Sequence, residues 1–77
     1  MPRYFFHIRS SDGIIEDPDG SDLPDLDAAR REAELSARDL LADLLRQGVA
    51  LDGQAFEITD EMGQILERLP FRNVLRL

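Results

Sequence analysis

The sequence predicts an α+β protein of two layers, in which one long helix packs on a four-stranded, mainly antiparallel sheet in the order ββαββ. Three observations carry this prediction. Short segments rich in β-forming residues occur in two pairs, and a glycine-containing turn joins each pair. Between the pairs, residues 26–47 carry apolar side chains at helical spacing. The chain length fits a single domain over residues 1–77.

The first pair of strands forms a hairpin. Residues 3–9 are dominated by β-forming side chains, and a turn at residues 10–13 leads to a short return strand at residues 14–17. Residues 18–21 then form a second turn. Alternation in the first strand assigns aromatic residues to both faces, with Tyr4, Phe6 and Ile8 on one and Phe5, His7 and Arg9 on the other.

The long helix begins after Asp25, a favourable N-cap, and Asp27 in the first turn complements the helix dipole. Gly48 stands where a glycine in the left-handed conformation ends a helix. The apolar side chains that share one face are Leu26, Ala29, Ala33, Ala37, Leu40, Leu41 and Leu44. Because alanine lines the first half, we expect the sheet to approach the helix more closely there.

A second hairpin follows the helix. Phe56 and Ile58 alternate with polar residues in a third strand, a turn lies at residues 60–63, and residues 64–69 return as a fourth strand. Residues 70–77 form a short C-terminal helix or a tail, because apolar side chains recur there at helical spacing.

Composition excludes several classes of chemistry. The chain has no cysteine, so disulfides, thiolate metal sites and cysteine nucleophiles are excluded. All nine basic residues are arginine, which removes Schiff-base chemistry on lysine. No stretch approaches the roughly 20 apolar residues that span a membrane, and the first residues lack the pattern of a secretory signal. The predicted location is the cytoplasm.

Short motifs recur along nearly the whole chain. They are the opening MPRYFFHI, Asp12-Gly13, Asp19-Gly20, Leu23-Pro24-Asp25, Ala28-Ala29-Arg30, Phe56-Glu57-Ile58-Thr59-Asp60, Gly63 and Leu69-Pro70-Phe71. Together these motifs resemble a small bacterial family of unknown function, which consists of short proteins from rhizobial and related alphaproteobacteria. The resemblance implies a free-standing cytoplasmic protein with no assigned activity, so it transfers no catalytic residue, cofactor or ligand.

One acidic cluster is a candidate cation site. Asp17, Asp19 and Asp22 lie in a glycine-containing segment, and Ca²⁺ and Mg²⁺ bind several oxygen ligands from such loops. The EF-hand frame fails, however, because Ile15 and Leu26 would stand at the two end positions that require carboxylates. The alternative is a solvated polar turn whose residues are chosen for their backbone conformation. We therefore predict no cofactor.

The single histidine, His7, does not predict an enzyme. Ser10, Ser11 and Asp12 are its neighbours in sequence, and a nucleophile needs a base within hydrogen-bond reach. No motif for a nucleophile elbow or an oxyanion hole accompanies them. We therefore expect a non-enzymatic protein.

The face of the sheet turned away from the helix is the predicted partner surface. Phe5 and His7 lie on that face if Tyr4 and its neighbours face the helix, and Ile65 and Leu66 cannot both point inward. An exposed apolar sheet face indicates contact with a protein partner or with a second copy as a homodimer. The alternative is that the C-terminal segment folds back over this face with Phe71, Val74, Leu75 and Leu77.

Charge bears on the remaining binding hypotheses. A net charge of −7 repels nucleic acid, and residues 12–27 hold seven acids without a base. The C-terminal segment is the exception, because it carries Arg68, Arg72 and Arg76, of which the last two are further candidates for partner contact. We predict a small acidic protein-interaction or regulatory module. The alternative is nucleic-acid or ligand binding through the Arg-bearing segment.

Overall fold

The computed structural model describes residues 1–48 and 53–75 of the chain. Its elements are β1 (Arg3–Ser10), β2 (Gly13–Ile15), β3 (Ser21–Asp22), α1 (Leu26–Arg46), β4 (Ala55–Thr59), β5 (Ile65–Pro70) and α2 (Phe71–Leu75). Every strand pairing is antiparallel, in the order β2-β1-β4-β5, and β3 pairs with β1. The α+β class and the long helix on an antiparallel sheet are confirmed.

The predicted four-stranded ββαββ layout is only roughly right, because the described residues form five strands and a second, short helix. The extra strand is β3, in which Ser21 pairs with Tyr4 although it was expected in a turn. The return strand β2 ends at Ile15, two residues earlier than predicted. The segment between them is held to β1 by side-chain hydrogen bonds rather than by a continuous ladder.

The long helix begins and ends as its capping residues predict. Asp25 has an extended backbone, and its carboxylate accepts a 2.8 Å hydrogen bond from the Ala28 N–H. Gln47 is the C-cap, and Gly48 follows with φ +75°. The fully buried face carries Ala29, Ala33, Ala37 and Leu41. Within the described ranges, no helix is long and apolar enough to cross a membrane.

The core lies between α1 and one face of the sheet, and the C-terminal segment completes it. Phe71, at the start of α2, is 1% exposed and packs edge-on against Phe56, with ring centroids 5.0 Å apart. Phe6 packs against the same Phe56 ring in a similar edge-to-face contact. Phe71 therefore joins the helix side of the sheet, and the alternative in which it covers the opposite face is wrong for this residue. The side chains of Val74 and Leu75, and Leu77 as a whole, lie outside the described part.

Candidate functional site

The outer face is the side of the sheet turned away from α1. Phe56 and Ile58 of β4 belong to the core. The residues that alternate with them along β4, and the cross-strand partners of those residues, therefore lie on the other side of the sheet. A β-bulge next to Thr59 leaves Ile65 on the outer face, 55% exposed, whereas Leu66 packs against the core. The outer face carries Phe5, His7, Arg9, Ala55, Glu57, Thr59, Ile65, Arg68 and Pro70.

A loop covers part of this face. We call residues 16–20, between β2 and β3, the Asp17 loop. Gly20 has φ +72°, and a Cβ placed there would lie 2.9 Å from the Phe5 ring, so the glycine backbone rests directly against that ring. The Phe5 and His7 rings are stacked with centroids 6.2 Å apart, and both side chains are half-buried. The Asp17 loop therefore covers part of Phe5, in a place where the sequence had suggested the C-terminal segment or a second chain.

The Asp17 side chain fastens the loop to β1. One carboxylate oxygen accepts the N–H groups of Asp19 and Gly20 at 3.1 and 3.2 Å, and the other accepts the Phe6 N–H at 3.2 Å. The Asp17 N–H in turn donates a 3.0 Å hydrogen bond to Nδ1 of His7. The carboxylate thus satisfies backbone donors that would otherwise lack a partner in the protein.

The acidic residues of the candidate cation site, Asp17, Asp19 and Asp22, contact other groups of the protein. The Asp17 carboxylate is engaged by backbone donors, and Asp22 is bound by the Arg3 guanidinium at 3.1 and 3.3 Å. That guanidinium also donates to the Asp19 carbonyl oxygen at 2.9 Å. Over residues 1–48 and 53–75, no group of three potential ligands is placed to hold a metal ion. The carboxylates of Asp17 and Asp22 therefore bind groups of the protein itself.

His7 uses both ring nitrogens within the fold. Nδ1 accepts the Asp17 N–H, so in the neutral ring Nε2 carries the proton and donates to Thr59 Oγ1 at 3.2 Å. The Ser10 hydroxyl instead donates a 3.5 Å hydrogen bond to the Gly13 carbonyl, within the turn between β1 and β2. The structure therefore does not assemble His7 and Ser10 into a base and a nucleophile.

Hydrogen bonding makes the Asp17 carboxyl a stronger acid. Partial burial raises its pKa, but the backbone N–H groups of Gly20, Phe6 and Asp19, together with the nearby His7, lower it by more. Its pKa in the folded protein therefore lies below the ordinary value of 3.8. The unfolded chain takes up the proton first as the pH falls, so ionised Asp17 stabilises the fold above about pH 4.

Replacing Asp17 with asparagine is expected to lower the free energy of unfolding by about 1–3 kcal/mol at neutral pH, because a neutral amide is a weaker acceptor. The deficit relative to wild type shrinks as the pH falls through the folded-state pKa, where wild type loses the same charge. Urea denaturation followed by circular dichroism across this range measures both effects. Asp12→Asn removes an equal charge from an exposed turn and is the control. A deficit equal at about pH 3 and about pH 7 contradicts the prediction.

The acidic groove is a shallow depression beside the Asp17 loop. Its volume is about 210 Å³, and the lining is Phe5, His7, Asp17, Thr59, Asp60, Glu61 and Gly63. Three of these described lining residues are acids and none is an arginine. Asp60 shapes the rim, since one carboxylate oxygen accepts 2.9 Å hydrogen bonds from the N–H groups of Met62 and Gln64. Glu61 is exposed and forms no ion pair within the described residues.

Long charged side chains cover the middle of the outer face. Glu57 is only 8% exposed, and both of its oxygens accept from the Arg9 guanidinium at 3.3 Å. Arg68 stands directly opposite Glu57 on β5. The middle of the outer face is therefore polar, and the exposed apolar surface of this face lies at the end of β4, near Thr59.

A second depression, the arginine cleft, lies at the other end of β4. Its volume is about 300 Å³, and the lining is Gly53, Gln54, Arg68, Pro70, Phe71, Arg72 and Asn73. Phe5 is opposite Thr59, the last residue of β4, whereas Pro70 is opposite Ala55, the first. The fold therefore places the candidates Phe5 and His7 apart from Arg72. The remaining candidate, Arg76, lies outside the described residues.

Residues 3–72 match the domain of unknown function DUF6894. The chain belongs to the DUF6894 family. Comparisons with curated proteins and with solved structures gave no match. The resemblance to a family of unknown function is thus confirmed, whereas an alphaproteobacterial origin and the opening motif as a family signature stay predictions. The DUF6894 match includes the acidic groove and extends through Arg72.

Proposed function

We propose that this DUF6894 protein is a small non-enzymatic interaction module whose acidic groove binds a basic segment of a partner protein. The observation that carries the proposal is the combination of aromatic and acidic side chains in one depression. Phe5 and His7 form its aromatic wall, and Asp17, Asp60 and Glu61 contribute carboxylates. We place the interaction in the cytoplasm.

Charge favours a basic partner. The net charge of −7 attracts cations at long range, and carboxylates at the groove supply short-range contacts for Arg or Lys. The lining carboxylates differ in availability, because Asp17 and Asp60 already accept backbone hydrogen bonds, whereas Glu61 is exposed. Glu61 is therefore the group that we expect to bind the incoming cation.

Apolar surface beside the groove supports the same partner. The turn between β4 and β5 carries Met62, which is 91% exposed, and β5 begins with Ile65, which is 55% exposed. Large apolar side chains at a rim indicate contact with a partner, and the carbon stems of Arg and Lys pack well on such surface.

A homodimer through this groove is less favourable. A two-fold contact would bring two copies of the same acidic depression together, and like charges across an interface oppose association. Static light scattering tests this alternative, since a monomer at high protein concentration excludes the dimer.

The proposal is tested with a synthetic peptide that alternates Arg and Leu, titrated into isotope-labelled protein and followed by backbone amide shifts. We expect shifts at the acidic groove, and about tenfold weaker binding for Glu61→Gln and for Ile65→Ser, which corresponds to about 1.4 kcal/mol. A matching peptide that alternates Glu and Leu is expected not to bind.

Two variants control for the same chemical changes elsewhere. Glu32→Gln removes an exposed carboxylate from α1, and Ile15→Ser removes a side chain that is 67% exposed and pairs with Ile8 rather than with an outer-face residue. Both are expected to retain wild-type affinity. Equal losses in control and groove variants, or shifts spread over the whole acidic surface, would overturn the proposal.

A further inference from the structure

We propose that the arginine cleft is a binding site for a small ligand that carries a phosphate group. The site is separate from the acidic groove and gives the Arg-bearing C-terminal segment a function of its own. Its volume of about 300 Å³ is at the lower end of the range of small-ligand pockets, roughly 300–1,000 Å³. This size fits a phosphate with a small attached group.

The arginines of the cleft differ from most others in the described chain. Among the residues that the structure describes, four arginines form ion pairs with carboxylates, namely Arg3, Arg9, Arg30 and Arg46. Arg68 and Arg72 form none within the described residues, although both line the same cleft. A guanidinium binds phosphate through two parallel hydrogen bonds, so two of them match the charge of a phosphate dianion.

Backbone pairing holds the two walls of the cleft together. The Phe71 N–H donates a 2.9 Å hydrogen bond to the Gln54 carbonyl, and Pro70 pairs with Ala55 in the sheet. Phe71 is also buried in the core, so the start of α2, which carries Arg72, is anchored against the entry to β4. Little backbone ordering is then needed when a ligand binds, which favours affinity.

A nucleic-acid strand fits the same observations less well. Binding of a strand requires a basic groove that follows several phosphates, together with aromatic side chains for base stacking. The one aromatic residue in the described lining is Phe71, which is 1% exposed, and the overall charge of −7 repels a polyanion. The site therefore selects a single phosphate.

The test is a titration of isotope-labelled protein with inorganic phosphate, then with a small alkyl monophosphate and with a single-stranded oligonucleotide. We expect saturable amide shifts at residues that line the arginine cleft, and tighter binding of the monophosphate than of inorganic phosphate. Arg68→Gln and Arg72→Gln are each expected to weaken binding about tenfold. Both side chains belong to exposed residues, so the variants are expected to fold.

Arg31→Gln and Arg38→Gln are the matched controls. These arginines are exposed on α1 and form no ion pair within the described residues, so the substitutions change the net charge equally but away from the cleft. Unchanged phosphate affinity in both controls supports a specific site. Equal weakening in the controls, absence of saturable shifts, or tighter binding of the oligonucleotide with shifts beyond the cleft would each overturn it. None of these results depends on the acidic groove.

Discussion

Replacing Phe71 with alanine is expected to lower the free energy of unfolding by about 3–5 kcal/mol. The ring is 1% exposed and packs on Phe56, so truncation loses the burial of an aromatic side chain and leaves a cavity beside α1. A domain of this size has a total stability of about 4–12 kcal/mol, so the variant is expected to lose a large share of its stability. Urea denaturation followed by circular dichroism measures the loss.

Arg72→Ala is the control for this substitution. It alters the neighbouring residue of α2, which is exposed, and is expected to change the stability by less than about 0.5 kcal/mol. A cost below about 1 kcal/mol for Phe71→Ala would show that the C-terminal segment does not close the core in solution.

Gly20→Ala is expected to cost about 2–5 kcal/mol, from two separate causes. A left-handed backbone at φ +72° costs a non-glycine residue about 1–2 kcal/mol. The added Cβ would also lie 2.9 Å from Phe5 and 3.0 Å from Arg3, so one of these side chains or the loop must move, at about 1–3 kcal/mol. Chemical denaturation gives the total, and amide shifts of Phe5 and His7 show whether the Asp17 loop has moved.

Gly63→Ala separates the two causes. Gly63 has φ +81°, close to that of Gly20, but within the described residues no atom beyond Gly63 and its two chain neighbours lies within 4 Å of its added Cβ. Its alanine variant is expected to cost only the backbone contribution, about 1–2 kcal/mol. If the two variants were equally stable, the Asp17 loop would not press on Phe5 in solution.

Elements defined by local patterns were predicted well. The long helix, its Asp25 cap and the two hairpins depend on residues that are close in sequence. β3 was missed because its two residues, Ser21 and Asp22, show no β-forming pattern. They become a strand only by pairing with the start of β1, far away along the chain.

The sequence alone identified only some residues of the candidate sites, because strand register or tertiary packing brings the others there. Alternation placed Phe5 and His7 on a common face, but their neighbour Thr59 follows from the β1–β4 register, which joins residues about fifty positions apart. Glu61 was included only as part of a turn, and its position beside the aromatic pair also depends on that register. Arg68 and Arg72 were recognised from charge, whereas the cleft between them requires the packed start of α2.

Composition and periodicity determine the fold class, the acidic charge, the lack of cysteine chemistry and the presence of aromatic residues on both faces of β1. These properties follow from residue type and from spacing over a few positions, so they can be derived without knowing which segments meet. Tertiary structure decides that Phe71 closes the helix side of the sheet and that the Asp17 loop rests on the outer face. Both contacts join segments distant in sequence, and only close packing and hydrogen bonding of the folded chain select them.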